Sequence, residues 1–319
     1  MSESEILARV KIRFDEKRNR SANERLARIN SVRNEYPRIG EIDAEVSRLG
    51  IENIKKIAAE PQKADEYNNI LKEKFRKLNH EKALILKNNG ISQNYNDYIY
   101  ECGLCSDTGY TSDGKRCRCF TQALIDEAFP NPDREKVLER ECFKNFRMDF
   151  YPDEPEIREN MKKICGRVKL LCERFFEVSK SHVFMGDTGL GKTFLANCVE
   201  GNLRKHGISV LSIRAVKLFR LMEDYKFGRE NDEEKLNCIY NADLLIIDDL
   251  GTENDNQLNS SFFDEIVNER LGTGKKMLIT TNYSMEEMRE KYSARFVSRI
   301  AEHFIFSRFR GIDIRVVKI

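Results

Sequence analysis

The sequence predicts an α/β protein: a three-layer domain around a parallel sheet, preceded by a helical N-terminal region and a small four-cysteine module. Three observations predict it. From about residue 156 onward, short apolar strands alternate with helical patterns, and strands separated by helices imply a parallel sheet. Residues 1 to about 95 carry apolar positions at helical spacing. Residues 100–120 gather four cysteines among Gly, Asp, Thr and Ser.

In chain order, residues 1–98 read as helices with a polar surface. Ile6, Leu7, Val10 and Phe14 share one face, as do Leu26, Ile29 and Val32. A later helix places Ile70, Leu71, Phe75 and Leu78 together and stops at Asn88-Asn89-Gly90. Between Lys11 and Arg38 nine Lys/Arg face four Asp/Glu, which reads either as a solvated helix face or as a surface for docking a partner. Residues 99–125 form the cysteine module. Residues 126–155 read as a linker containing Pro130, Pro132, Pro152 and Pro155. In 156–319 the expected strands are His182–Met185, Ser209–Ile213, Leu244–Ile247, Met277–Thr280 and Phe304–Phe306.

Composition narrows the class. The 319 residues are 40% hydrophobic and 34% charged, with a formal net charge of only +2, so nucleic-acid binding would need a local patch. No stretch approaches the ~18 apolar residues of a membrane helix. The acidic start Met1-Ser2-Glu3-Ser4-Glu5 lacks the apolar core of a signal peptide, so a cytoplasmic protein without membrane contact is expected. Nine cysteines is an odd number, and four of them cluster; cytosolic thiols with a metal site explain that better than a disulfide framework.

Gly186-Asp187-Thr188-Gly189-Leu190-Gly191-Lys192-Thr193 fits G-x-x-x-x-G-K-[ST] in full. The glycines let backbone N–H groups wrap phosphate oxygens, and a helix beginning near Gly191 adds the positive end of its dipole. Lys192 reaches the β- and γ-phosphates of ATP, and the Thr193 hydroxyl coordinates Mg²⁺. The strand Val183-Phe184-Met185 before the loop and Phe194-Leu195-Ala196 after it supply the context the motif requires.

Leu244–Ile247 leads into Asp248-Asp249. Adjacent acids ending a strand also serve as turn formers, but their spacing from the phosphate loop favours a site. Asp248 is expected to hold Mg²⁺ through water, and Asp249 to orient or deprotonate the attacking water. Asn282, ending the next strand in Thr280-Thr281-Asn282, offers an amide for that water; a turn-forming Asn is the alternative. Arg295 and Arg299 lie four apart on an expected helix Tyr292–Ile300 and share a face. A neighbouring subunit in a self-associated form could insert Arg299 as a trans-acting cation; two solvated arginines is the plain reading.

The order of phosphate loop, Asp-Asp-Leu-Gly (Asp248–Gly251), Asn-Glu-Arg-Leu (Asn268–Leu271), Thr-Thr-Asn and Ser298-Arg299-Ile300 resembles the DnaC/DnaI helicase loaders. The IstB transposition ATPases are close relatives. The likeness covers about 100–319; before residue 100 it rests on helical character alone. It implies a P-loop AAA+ ATPase without a separate C-terminal lid that escorts a DnaB-type replicative helicase onto single-stranded DNA at replication initiation. In that reading residues 1–98 bind the helicase. Lys192 and Thr193 match the Walker A pair, Asp248 and Asp249 the Walker B pair, Asn282 sensor 1, Arg299 the arginine finger and Arg315 the terminal arginine usually read as sensor 2. Asp249 stands where Glu is usual, which suits slow turnover and a nucleotide switch. The other reading is an IstB-like helper that binds DNA and stimulates a transposase, or a nucleotide-dependent DNA-binding module with negligible turnover.

Cys102-x-x-Cys105 and, eleven residues on, Cys117-x-Cys119 supply four thiolates for structural Zn²⁺; a redox pair or unligated thiols is the alternative. Similar clusters precede the ATPase domain in relatives of the loaders. The segment Arg214–Arg220 through Tyr225-Lys226-Phe227 interleaves basic and aromatic residues, and resembles the loaders' helix lining a single-stranded DNA channel. Leu218, Leu221 and Met222 within it read as core.

Overall fold

The computed structural model describes residues 3–229, 233–252 and 257–317. The chain forms two compact units, Arg13–Thr108, and Met1–Ile12 with Gly109–Ile319.

In the first unit, helix α1 (Glu3–Glu35, the part from Arg13), α2 (Pro37–Ala59) and α3 (Ala64–Asn88) enclose a small core of Ile29, Ile39, Leu86 and Tyr95. Pro37 opens α2, where its missing N–H costs nothing. Gly90, at φ +67°, closes α3, with its N–H on Lys87 O and the Ile91 N–H on Leu86 O. Arg38 pairs with both Glu81 oxygens, at 2.7 and 3.1 Å, and Lys82 with Asp43 at 2.6 Å, tying α2 to α3. Leu26 and Ile70, expected on apolar faces, are half exposed: the core closes around Ile29, Ile39 and Leu86 instead.

The second unit is the α/β domain. Its helices are α4 (Arg118–Ala128), α5 (Arg134–Arg140), α6 (Pro155–Glu173), α7 (Lys192–Lys205), α8 (Ala215–Lys226), α9 (Glu233–Asn241), α10 (Gln257–Gly272), α11 (Met285–Lys291), α12 (Ala294–His303) and α13 (Ile314–Val317). Strands β1 (Ser181–Met185), β2 (Val210–Arg214), β3 (Leu244–Leu250), β4 (Lys276–Thr281) and β5 (Phe304–Arg308) form one sheet, ordered β2-β3-β4-β1-β5 and parallel throughout. Each expected strand is present, with ends that match or differ by at most three residues. β1 and β4 lie inside the sheet and are buried at every position, so Val183–Met185 and Met277–Ile279 read as short apolar runs flanked by buried polar residues.

Met161, Ile164 and Val168 of α6 and Leu195, Val199 and Leu203 of α7 pack with Phe184, Leu244, Ile246 and Leu278 of the sheet. A second apolar layer joins Phe219 of α8, Phe263 of α10, and Tyr292 and Phe296 beside and on α12, with the Phe263 and Phe296 rings 4.5 Å apart. Rings at such spacings contribute ~0.5–1.5 kcal/mol per pair beyond simple burial.

The segment expected as a linker carries structure of its own. Arg134 of α5 donates to Glu200 of α7 at 2.9 Å and to Asn197 at 2.8 Å, and Arg204 bridges Glu200, Asp126 and Glu135. Glu200 is buried, so these cations are what makes its charge tolerable there. On α4, Gln122 accepts from Val210 N–H at 2.7 Å and donates to Val210 O at 3.3 Å. It substitutes for a neighbouring strand at the edge of the sheet.

Candidate functional site

The site grows from the carboxyl ends of β1, β3 and β4, adjacent in the sheet. Residues 186–191 turn the chain from β1 into α7, with Gly191 as the left-handed residue before the helix. The wrap requires glycine at three close approaches, the tightest at Gly189, where a Cβ would lie 2.1 Å from the Asp313 carboxylate. A Cβ on Gly186 would lie 2.6 Å from Phe309 O, and one on Gly191 would lie 2.8 Å from the Tyr151 hydroxyl oxygen. That hydroxyl donates to Leu190 O at 3.0 Å, so a buried residue of the segment before α6 fixes the loop from outside. On the other flank, Ile314 N–H donates to Gly189 O at 3.0 Å.

The Lys192 ammonium is buried and donates to Gly186 O (2.6 Å), Asp187 O (2.7 Å) and Asn282 Oδ1 (2.8 Å). Burial lowers its pKa; Asp249, Asp187 and Asp248 oppose that, and nearby Arg315 adds to it. One residue on, Thr193 Oγ1 donates to Asp248 Oδ1 at 2.9 Å. Two motifs 55 residues apart in sequence thus meet as a hydroxyl and a carboxylate, the donor set an oxygen-preferring Mg²⁺ takes.

Thr280 is a site residue for which no role was expected. Its hydroxyl donates to Asp248 Oδ1 at 2.7 Å and accepts from the Asp249 N–H at 2.9 Å, so one side chain positions both acids. Its only sequence signal is its place two residues before Asn282. Asp249 is in the left-handed region at φ +56°, where the β3–β4 register shifts between Ile247 and Leu250. Burial first, then Asp248, raises the Asp249 pKa; Arg214 and Lys192 pull it back. A carboxylate raised this way is a better base.

The structure therefore brings together Lys192, Thr193, Asp248, Asp249 and Asn282. It does not bring Arg299 to them. On α12, Phe296, Val297 and Ile300 face the core; Arg295 is exposed, and Arg299 is half buried with its Nη1 lacking a hydrogen-bond partner. Ser293 caps α12 through the Phe296 N–H and donates to Asp264 at 2.7 Å, which fixes the helix on α10. Arg315 pairs with Asp313 through contacts of 2.7 and 3.0 Å.

The four cysteines form a second constellation. The Sγ atoms of Cys102, Cys105, Cys117 and Cys119 all lie within 4.8 Å of one another. Around Cys102 and Cys105, Ser106 N–H donates to Cys102 O and Thr108 N–H to Cys105 O, while the Asp107 carboxylate takes the N–H groups of Glu101 and Cys102. Cys117 N–H donates to Gly109 O at 2.8 Å, and Cys117 is the residue from which α4 starts. Tetrahedral zinc with Zn–S of ~2.3 Å sets its sulfurs about 3.8 Å apart, so these thiols fit the ion.

Among the described residues no helix is long and apolar enough to cross a membrane. Residues 159–300 match the IstB-like ATP binding protein family. The replicative helicase loader DnaC of Escherichia coli (strain K12) is 27% identical over 167 residues, 52% of this chain and 65% of that protein. The DnaC loader of Buchnera aphidicola subsp. Acyrthosiphon pisum (strain APS) is 26% identical over 163 residues, 50% of this chain and 65% of its own. The chain thus spans just under two thirds of the length of these relatives. Among solved structures, a DnaC helicase loader (22% identity, TM-score 0.45) covers 52% of this chain and 97% of its own, and DnaI (21%, TM-score 0.46) covers 58% and 95%. Residues 159–300 are thus similar to the IstB-like ATP binding protein family, and the chain is similar in sequence to the DnaC replicative helicase loaders over about half its length.

Proposed function

We propose that this protein is an ATP-dependent loader that places a DnaB-type replicative helicase on single-stranded DNA, with ATP binding and slow hydrolysis as its switch. The observation that carries the reading is the meeting of Lys192, Asn282, Thr193 and Asp248 within hydrogen-bonding distance at the ends of three adjacent strands. It stands in a chain whose named relatives are helicase loaders.

In this reading residues 186–193 wrap the triphosphate and Lys192 trades its carbonyl partners for the β- and γ-phosphates. Thr193 and Asp248 would hold Mg²⁺, which would supply neutralising charge to the phosphates. Asp249 takes the proton of the attacking water, and Asn282 orients that water. Thr280 keeps the two acids apart in role, one toward metal and one toward water. Arg299 of a neighbouring copy and Arg315 of the same chain add positive charge to the transition state. Residues 1–98 engage the helicase; Tyr225 and Lys226 at the end of α8 contact DNA; the cysteine module, 99–125, holds a structural Zn²⁺; residues 126–155 link it to the ATPase domain, 156–319.

The test is retention of the cognate replicative helicase on immobilised protein, with and without ATP, beside Lys192→Ala. The helicase is expected to bind wild type in an ATP-sensitive manner. Lys192→Ala should lose nucleotide binding and that sensitivity together. A helicase that is never retained overturns the loader reading. A variant that binds fluorescent ATP analogues like wild type overturns the site.

A further inference from the structure

We propose that the first unit carries its own stacking surface for single-stranded DNA, built from Tyr98, Tyr100 and the basic side chains of α1. This goes beyond the loader reading, in which DNA contact belongs to α8, and stands whether or not α8 touches DNA.

Tyr98 and Tyr100 lie two residues apart in a loop after α3 and stack on each other, with ring centroids 5.5 Å apart and planes within 3° of parallel. Their relative exposures are 47% and 37%, and Ile99 between them is 63% exposed. In a loop such a pair would ordinarily move freely; here its backbone is fastened. Arg25 Nε donates to Asn96 O at 2.6 Å, Arg28 Nη2 to Asp97 O at 2.7 Å, and Ser21 Oγ to Ile99 O at 2.8 Å. Tyr95, just upstream, is buried in the unit's core. The Arg25 guanidinium also lies 4.7 Å from the centre of the Tyr98 ring. Two mutually stacked, partly exposed rings thus sit on a fastened backbone, so a base that extends the stack meets little ordering cost.

Charge selects the ligand. Arg25 lies at the Tyr98 ring, Arg28 holds the backbone at Asp97, and Arg13, Lys17 and Arg20 gather near Glu101, one residue after Tyr100. Lys17 and Arg20 converge on Glu101, at 2.6 and 3.4 Å, leaving the guanidinium of Arg20 largely exposed. Flat rings beside surplus cations fit unstacked bases joined by phosphates, since every base offers a face to an aromatic ring. A duplex, with its bases already stacked, offers the rings nothing.

The probe is a fluorescein-labelled oligothymidylate, titrated into the full-length protein by anisotropy at several salt concentrations. Tyr98→Ala/Tyr100→Ala should weaken binding at least ~5-fold, the lower range for loss of one stacked base. Arg20→Ala should flatten the salt dependence. An iodouracil-substituted oligonucleotide should crosslink to Tyr98 or Tyr100, located by peptide mapping, in wild type and in Lys192→Ala alike. An oligoribonucleotide bound more tightly than the DNA probe overturns the assignment to DNA. Crosslinks confined to 214–227, or unchanged affinity in the double tyrosine variant, overturn the surface itself while leaving the loader reading intact. A double variant that keeps DNA affinity but no longer retains the helicase makes the rings a protein-docking surface and likewise overturns the proposal.

Discussion

At the residue scale, the site and the buried exceptions obey one rule: a polar group inside the domain is either partnered or has a consequence. Arg270 is wholly buried, yet its guanidinium donates to the carbonyls of Ile239, Tyr240, Ala242 and Lys276, knitting the end of α9 to the starts of β3 and β4. Burial pushes its pKa down to about 9, so it stays charged at neutral pH. His182 is the contrast. It is buried in β1 with both ring nitrogens unpartnered, and burial, aided by Arg167, pushes its pKa down to about 4. A histidine whose folded pKa lies below its unfolded value of ~6.5 leaves the unfolded chain binding more protons between the two. Stability should therefore fall as pH drops from ~6.5 toward 4, by about 3 kcal/mol from this residue if the whole shift is expressed. Urea midpoints at pH 7 and pH 5 check the slope, and His182→Phe should flatten it; an unchanged slope rejects His182 as its source. Asp249→Asn tests the acid pair: with Thr193 and Asp248 intact, ATP affinity should hold while turnover falls at least ~10²-fold. Loss of binding together with turnover would count against this division of roles.

At the element scale, what was legible in the sequence follows from burial on both faces of the sheet. β1, β3 and β4 pair on both sides, so they read as apolar runs ended by the functional residues. The edge of β2 was not legible, because its partner is a glutamine side chain 88 residues away in sequence. Nor was α5 visible: seven residues with only Leu138 buried carry too little periodicity, and its anchorage is an ion network rather than an apolar stripe. The cysteine spacing predicted a tight cluster, and the thiols do converge. With four thiolates no ligand position is left open, so any bound zinc is structural rather than catalytic. Protein purified under reducing conditions should carry one zinc ion per four-cysteine cluster, and Cys102→Ser/Cys105→Ser should lose it, with a lower melting temperature. Elemental analysis finding no metal in freshly reduced wild type would favour a redox pair instead.

At the scale of the whole molecule, the sequence marked the residues that the site gathers except for two hydroxyl groups, and it also marked Arg299, which stands apart from them. The motifs named Lys192, Thr193, Asp248 and Asn282, and the structure gathers them; Thr280 and Tyr151 escaped because each acts through a single hydroxyl that no spacing marks. Arg299 sits on α12 and reaches none of these residues by a hydrogen bond, while one of its terminal nitrogens is buried without a partner. A site assembled between copies would give that guanidinium its role. A trans-acting arginine contributes ~10³- to 10⁵-fold in strongly stimulated systems, by neutralising charge that develops only in the transition state. ATPase activity should then rise more than linearly with protein concentration, tracking assembly measured by light scattering. Arg299→Ala should assemble and bind ATP as wild type does, yet lose that rise, with turnover falling by about 10²-fold or more. Mixing Arg299→Ala with Lys192→Ala should restore activity, because one chain keeps the phosphate loop and the other the arginine. If mixed oligomers form and stay inactive, or if Arg299→Ala keeps the concentration dependence, the shared site is rejected. Exposed Arg295, one turn earlier on the same helix, is then the residue to replace, and the same mixing experiment decides whether it acts from the neighbour.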